Sequence, residues 1–359
     1  MTATRSNRRT VAVTGASGFI AGRLIRGLCM DESIDRVLGF DVRPPAFEHE
    51  KFVFDEVDVR NPALEARLTG VDTIVHLAFV MDPIRDETEM RDINVNGSQN
   101  VFRCAGAAGV KQIVYTSSAT AYGAHPDNDV PLTEDSPLRA NLDFSYPAHK
   151  LEVEYVVKEF RDEYPDVMVT VFRPVIVFGP HVDNTWSHFI EQPVLLGVRG
   201  YHPPFQFVHE DDVGRALAFA VGNKLDGTYN LAPEGWLSYE EIKQIVGRRS
   251  AELAEPAAFT LADRLWSMGL AEAPAGMLHY VMHPWVVSVD KLKAAGFVCE
   301  RSSGETLREV VERSREYVRI GTSRFKKGDL ARGAAAGAGL LGAAVGLAVL
   351  RRRRSLAGT

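Results

Sequence analysis

The run Thr10-Val11-Ala12-Val13-Thr14-Gly15-Ala16-Ser17-Gly18-Phe19-Ile20-Ala21-Gly22 joins a β-branched segment directly to a glycine-rich turn, and a helical stretch from Arg23 to Met30 follows. Strand, glycine turn and helix, in that order, form the setting in which a backbone can wrap a phosphate. Gly15 permits the tight turn, and Gly18 lets the main chain approach a pyrophosphate. The small Ala21 lets the helix lie close on the strand. Amides at the helix start, around Ser17, Phe19 and Ile20, face the anion.

Outward from this run the chain keeps one rhythm. Strand candidates Thr10 to Thr14, Arg36 to Phe40, Phe52 to Phe54, Thr73 to Leu77, Gln112 to Thr116 and Val167 to Phe172 alternate with helical stretches. The helical stretches lie near Ile20 to Met30, Pro62 to Leu68, Thr88 to Ala108 and Ser145 to Tyr164. Such alternation predicts an α/β fold, a Rossmann-type doubly wound parallel sheet with helices on both faces. After about residue 180 Gly and Pro become frequent, so a smaller C-terminal substrate lobe is expected over 181–328. It is expected to be discontinuous, because segments near 205–232 (Phe205 to Val221 and Gly227 to Leu231) can return to the sheet of the 1–180 domain.

Asp41 closes the second strand, 23 residues after Gly18. A carboxylate there accepts both ribose hydroxyls of a dinucleotide and repels a 2′-phosphate, so NAD is the expected cofactor. Arg43, two residues on, keeps NADP open.

Composition excludes other classes. Net charge is −6 with a pI near 6.0, so no general positive field favours nucleic acid. Cys29, Cys104 and Cys299 lack the pairing of a disulfide framework or zinc site and fit a reducing cytoplasm. No metal is expected. His209, Asp211 and Asp212 stand where a strand meets a helix, with Asp211 or Asp212 as the expected cap.

The low-complexity tail, 329–359, differs from the rest. Gly333 to Leu350 is 18 residues without a charge, with Arg351 to Arg354 after it. As a helix it would extend ~27 Å, close to a bilayer's hydrocarbon thickness. Gly333/Gly337 and Gly342/Gly346 have the spacing of close-packed membrane helices. Membrane association through 333–350 and a solvated extension both remain open.

Tyr146 and Lys150 stand four residues apart at the start of a helical stretch and so share one face. A free phenol, with a pKa of about 10, is a poor base at neutral pH, but neighbouring positive charge favours its ionised form. Tyr146 can then take the proton of a substrate hydroxyl while hydride leaves its carbon. Ser118, just beyond the fifth strand, can orient the same oxygen. Tyr-x-x-x-Lys pairs also occur on ordinary helix surfaces, and the position after a nucleotide half-sheet is what selects the catalytic reading.

Together these motifs resemble the extended short-chain dehydrogenases/reductases of the NAD-dependent epimerase/dehydratase family. The likeness spans roughly residues 10 to 320 and includes Asp58-Val59, His76-Leu77-Ala78, Asn94-Val95-Asn96-Gly97, Ser117 to Gly123, Arg173-Pro174, Gly179-Pro180 and Val208 to Val213. It implies Asp58, Val59, Leu77, Ala78, Tyr146, Pro174 and Val175 as further NAD contacts, with Lys150 binding the nicotinamide ribose. Asn94 is expected to brace its helix against the active-site strands. A homodimer through two long helices is implied as well.

Departures from the family pattern narrow the chemistry. Ala119 and Thr120 stand where sugar dehydratases carry an Asp-Glu pair, which disfavours dehydration. Val175 and Phe205 replace the Asn and Arg with which nucleotide-sugar enzymes hold a diphosphate. Phe205, Phe207, Tyr201, Trp186 and Pro203-Pro204 make an apolar wall suited to a lipophilic alcohol or ketone, such as a sterol-like or isoprenoid compound. The same aromatics could equally pack the lobe's core, and Arg199 or His188 could reach a phosphate from another side. The expected partner is thus a small molecule. The alternatives are a nucleotide-sugar epimerase and a protein that binds NAD as a sensor or scaffold without chemistry, against which an intact Ser118, Tyr146 and Lys150 argue.

Overall fold

The computed structural model describes residues 8–84, 86–315, 317–320 and 323–326; the apolar run 333–350 lies outside them. In chain order the sheet-forming half comprises β1 (Arg9–Thr14), α1 (Phe19–Met30), β2 (Ile34–Asp41), β3 (Phe52–Glu56), α2 (Leu64–Arg67), β4 (Thr73–His76), α3 (Glu87–Arg91), α4 (Gly97–Ala107), β5 (Gln112–Thr116), α5 (Ser145–Glu163) and β6 (Met168–Pro174). There follow β7 (Ile176–Phe178), α6 (Thr185–Glu191), β8 (Val194–Val198), β9 (Phe207–His209), α7 (Glu210–Asn223), β10 (Gly227–Leu231), α8 (Tyr239–Val246), β11 (Arg249–Leu253) and α9 (Glu255–Ser267).

Seven strands form one parallel sheet in the order β10-β6-β5-β4-β1-β2-β3. The order reverses between β1 and β4, and open α/β sheets place their ligand sites at the carboxyl ends of the strands at such a reversal.

Alternation along each strand sorts the core. Val11, Val13, Val75 and Val114 pack with α1 and α7 in one cluster, which continues into the lobe through Phe178, Phe207 and Leu195. Ala12, Ile74, Ile113 and Val169 pack with α4 and α5 on the other face. Val11, Ala12 and Val13 are fully buried, as both-face coverage of a parallel strand demands. In the lobe β8 pairs in parallel with β11, and β7 with β9.

Two stretches depart from their sequence expectations. Thr88 to Ala108, read as one helix, is α3 and α4 joined by a π-helical turn at Asp92–Asn96. The extra residue of that turn brings buried Asn94 toward the loop after β4. There its side chain accepts from the Val80 amide at 2.7 Å and donates to the Val80 carbonyl at 2.9 Å. Glycine at 97 is required by close packing, since a Cβ there would lie 2.8 Å from Val59 Cγ2. The Phe205 to Val221 segment divides into β9 and α7. The cap between them is neither Asp211 nor Asp212 but His209, whose Nδ1 accepts from the Asp211 amide at 3.1 Å.

Candidate active site

The turn after β1 is set by its neighbour in the loop after β4. Gly15 has φ +70°, and a Cβ on it would lie 2.7 Å from the Ala78 nitrogen and 2.8 Å from Leu77 C. Both clashes are with backbone, so only glycine lets the β1 and β4 loops meet. His76 ties the same strands from beneath. Its Nδ1 bonds Thr14 Oγ1 at 2.7 Å and its Nε2 bonds Ser98 Oγ at 2.9 Å, while Thr14 Oγ1 accepts from the Leu77 amide. Complete burial pushes the imidazole pKa down to about 3, helped by the charge of Lys150, so it is neutral at physiological pH.

The open end of this turn fits a dinucleotide. Gly18 caps α1 without a side-chain bond, and the helix has no acidic residue in its first turn, so its amides and dipole remain available to an anion. Phe19 and Ile20 in that turn are half-buried against the main core. Asp41 ends β2 with one carboxylate oxygen accepting from the Ser17 amide at 3.0 Å and the other from the Arg43 amide at 3.1 Å. It is thereby held beside the turn after β1. Asp58 follows β3 in a bidentate pair with Arg60 that keeps its carboxyl below the usual range, and Arg60 also reaches Asp92. Val59 is buried against α4.

Helix α5 carries Tyr146, Lys150 and Glu154 at successive i,i+4 positions on one face. Ser118, after β5, accepts from the Thr120 amide at 3.2 Å and from Thr120 Oγ1 at 2.9 Å. With those bonds received, its own hydroxyl proton can go to the Tyr146 phenol, and this bond lowers the phenol's pKa. Burial outweighs it and, with the charge of Asp82, pushes the phenol up to about 12. Lys150 is buried, donates to the Thr116 carbonyl at 2.8 Å, and has its pKa driven down to about 7 by desolvation, which Glu154 partly opposes. Its Nζ lies 5.8 Å from the Tyr146 ring centre. Ser118, Tyr146 and Lys150 thus converge beside the Gly15–Ala78 contact. Pro174 closes β6, and Val175 packs into the main core while its amide donates to Leu231 O.

Sequence reading passed over several groups that build this site. Glu154 forms a buried bidentate pair with Arg173 at 2.9 and 3.0 Å, and Arg173 also donates to Tyr122 OH at 2.8 Å. Glu154 was legible as the third residue of the α5 stripe. Phe79, Asp82 and Tyr280 had no local signal. Tyr280 enters from the lobe and donates to the Thr120 carbonyl at 2.8 Å.

The lobe supplies an apolar slot lined by Ile176, Trp186, Phe189, Leu195, Tyr201 and Phe205, among others. Phe178, Phe207 and Phe205 stack in series, with ring centres 4.9 and 6.3 Å apart. The first two are buried in the core and Phe205 is half-buried against it, and all three also line the slot. His188 is not placed for a phosphate, because its two ring nitrogens bond the carboxylates of Asp183 and Glu272.

Comparison with known proteins agrees with this geometry. The profile of the NAD dependent epimerase/dehydratase family matches residues 11–232. An uncharacterized protein of Mycobacterium tuberculosis (strain ATCC 25618 / H37Rv) is 30% identical over 249 residues, a match covering 67% of this chain and 66%, just under two thirds, of that relative's length. An N-acetyl-alpha-D-glucosaminyl-diphospho-ditrans,octacis-undecaprenol 4-epimerase of Escherichia coli O157:H7 is 31% identical over 172 residues, 47% of this chain and 49% of that one. Among solved structures, a dTDP-glucose 4,6-dehydratase from Streptomyces venezuelae with NAD bound superposes with a TM-score of 0.67 at 22% identity. That likeness covers 86% of this chain and 97% of that one, and it concerns the fold.

Proposed function

From the premise that the chain belongs to the NAD-dependent epimerase/dehydratase family, we propose that it transfers hydride between NAD and the carbon of a secondary alcohol or ketone on a lipophilic substrate. The observation that carries this reading is the convergence of Ser118, Tyr146 and Lys150 beside the Gly15 turn. NAD, when bound, accepts or returns the hydride. Gly15, Ser17, Gly18, Phe19 and Ile20 would hold its pyrophosphate, Asp41 its adenosine ribose, Asp58 and Val59 its adenine. Leu77, Ala78, Pro174 and Val175 would flank the nicotinamide side. Tyr146 takes the substrate's hydroxyl proton, Ser118 orients that oxygen, and the Lys150 ammonium favours the phenolate.

The slot beside Phe205 supports an apolar substrate. So does the relative named for an undecaprenol-linked diphospho sugar. The test is to mix the full chain and NAD with two panels, polyprenyl-diphosphate sugars and hydrophobic secondary alcohols in one, UDP-sugars in the other. Absorbance of reduced nicotinamide and chromatography of sugar epimers are followed. Turnover confined to the lipophilic panel is expected. Epimerisation of UDP-sugars with no net NADH would replace this reading by the nucleotide-sugar epimerase. NAD uptake with neither reaction would favour a sensor or scaffold.

Two features extend the proposal. The uncharged run 333–350 and Arg351–Arg354 would hold such an enzyme against an anionic membrane surface. Two copies would pair through α4 and α5, the latter exposing Tyr155; a monomer mass by light scattering at micromolar concentration would reject the pairing.

A further inference from the structure

We propose that Phe79 is the positioning residue for the Lys150 ammonium, its ring face holding the cation where it can act on Tyr146 and on the nicotinamide ribose. The inference rests on the acid–base reading of Ser118, Tyr146 and Lys150 given above. Lys150 Nζ stands 3.5 Å from the centre of the Phe79 ring, and the Thr116 carbonyl accepts from it at 2.8 Å. The Tyr115 ring lies farther, at 5.1 Å. Phe79 also meets Tyr146 edge to face, with ring centres 5.7 Å apart and planes at 90°. One aromatic side chain therefore fixes both members of the proton-transfer pair.

Its own place is fixed in turn. Asn94, from the π-helical turn, holds both the amide and the carbonyl of Val80, the next residue. This gives the irregular turn between α3 and α4 a purpose at the active site.

The ionisable groups around Lys150 leave the ring an electrostatic role. Glu154 and Tyr146 face it from its own helix, Tyr115 from β5 and His76 from β4. The Glu154 carboxylate is already taken by both arms of Arg173. His76 is neutral, and burial raises the Tyr115 phenol far above its usual range. After the Thr116 carbonyl, the negative face of Phe79 is the next contact of the cation, nearer than the Tyr115 or Tyr146 ring, and in a desolvated setting such contacts are at their strongest.

The test follows the ammonium itself by carbon-13 NMR of lysine labelled at Cε in the full chain, with the Lys150 signal assigned by its loss in Lys150→Arg. The wild-type midpoint is expected near pH 7, where desolvation has brought the group. In Phe79→Leu, which retains bulk without a π face, the midpoint should fall by about one unit, a tenfold loss of the cation's advantage. Phe79→Trp should restore it. An unchanged midpoint in a folded Phe79→Leu would overturn the inference, since a packing role alone lowers the melting temperature without moving the titration. Should Leu fail to fold, an unmoved midpoint in Phe79→Ile or Phe79→Met is equally decisive. Calorimetry of NAD with wild type and Lys150→Met separates the two levels: no NAD uptake by wild type defeats the site reading, whereas uptake with a stationary Phe79→Leu midpoint defeats this inference only.

Discussion

Burying Lys150 costs the chain stability. An amine whose folded pKa is about 7, against 10.5 in the unfolded chain, favours folding only when neutral. Its burial therefore costs stability most below about pH 7, and the cost fades as pH rises toward 10.5. Lys150→Met should raise unfolding stability at pH 6 by about 1–3 kcal/mol, a gain that shrinks in alkaline solution; urea melts at the two pH values check this. Tyr146→Phe keeps the ring against Phe79 and Phe144. It should leave NAD affinity unchanged while turnover drops by a factor on the order of 10², the scale of a lost acid–base group. Full turnover in that variant would remove the phenol from the mechanism.

Between elements, the β1 and β4 loops meet backbone to backbone at Gly15 and Ala78. Gly15→Ala combines a positive φ with a clash against backbone at Ala78. It should cost about 1–3 kcal/mol of stability and abolish NAD uptake by calorimetry. Undiminished uptake would show that the turn is not the pyrophosphate cradle. The His76 link between these strands responds to acid. Its folded pKa, about 3, lies below the ordinary 6.5, so its contribution is complete above pH 6.5 and is lost as pH falls toward 3. The loss approaches about 1.4 kcal/mol per unit across that window. In His76→Asn the dependence of unfolding free energy on pH between 6.5 and 4 should flatten by up to one proton; identical slopes would exclude His76 as the acid-sensitive group.

For the whole molecule, one core cluster runs from the sheet into the lobe. Through it Tyr280 of the lobe reaches the Thr120 carbonyl beside Ser118, and Trp186 lines the lobe's apolar slot. The described helices include none long and apolar enough to cross a bilayer. The uncharged run 333–350 lies outside the described residues. Full-length protein should sediment with anionic vesicles and a chain ending at Gly328 should not; equal recovery of both in the supernatant would discard the tail as an anchor.

The parallel sheet, the glycine turn, Asp41 and the Tyr146–Lys150 stripe were legible from residue order alone, because each depends on local periodicity or on spacing within one strand-turn-helix unit. Glu154 belonged to that same stripe and could have been read there. Phe79 beneath the ammonium, Asn94 on the Val80 backbone, Asp82 near the phenol and Tyr280 against Thr120 depend on segments that become neighbours only when separate loops close over the sheet. Long-range packing, which residue order does not encode locally, decided them. It also buried Phe178 and Phe207 in the core and left Phe205 half-buried against them, with all three rings lining one slot.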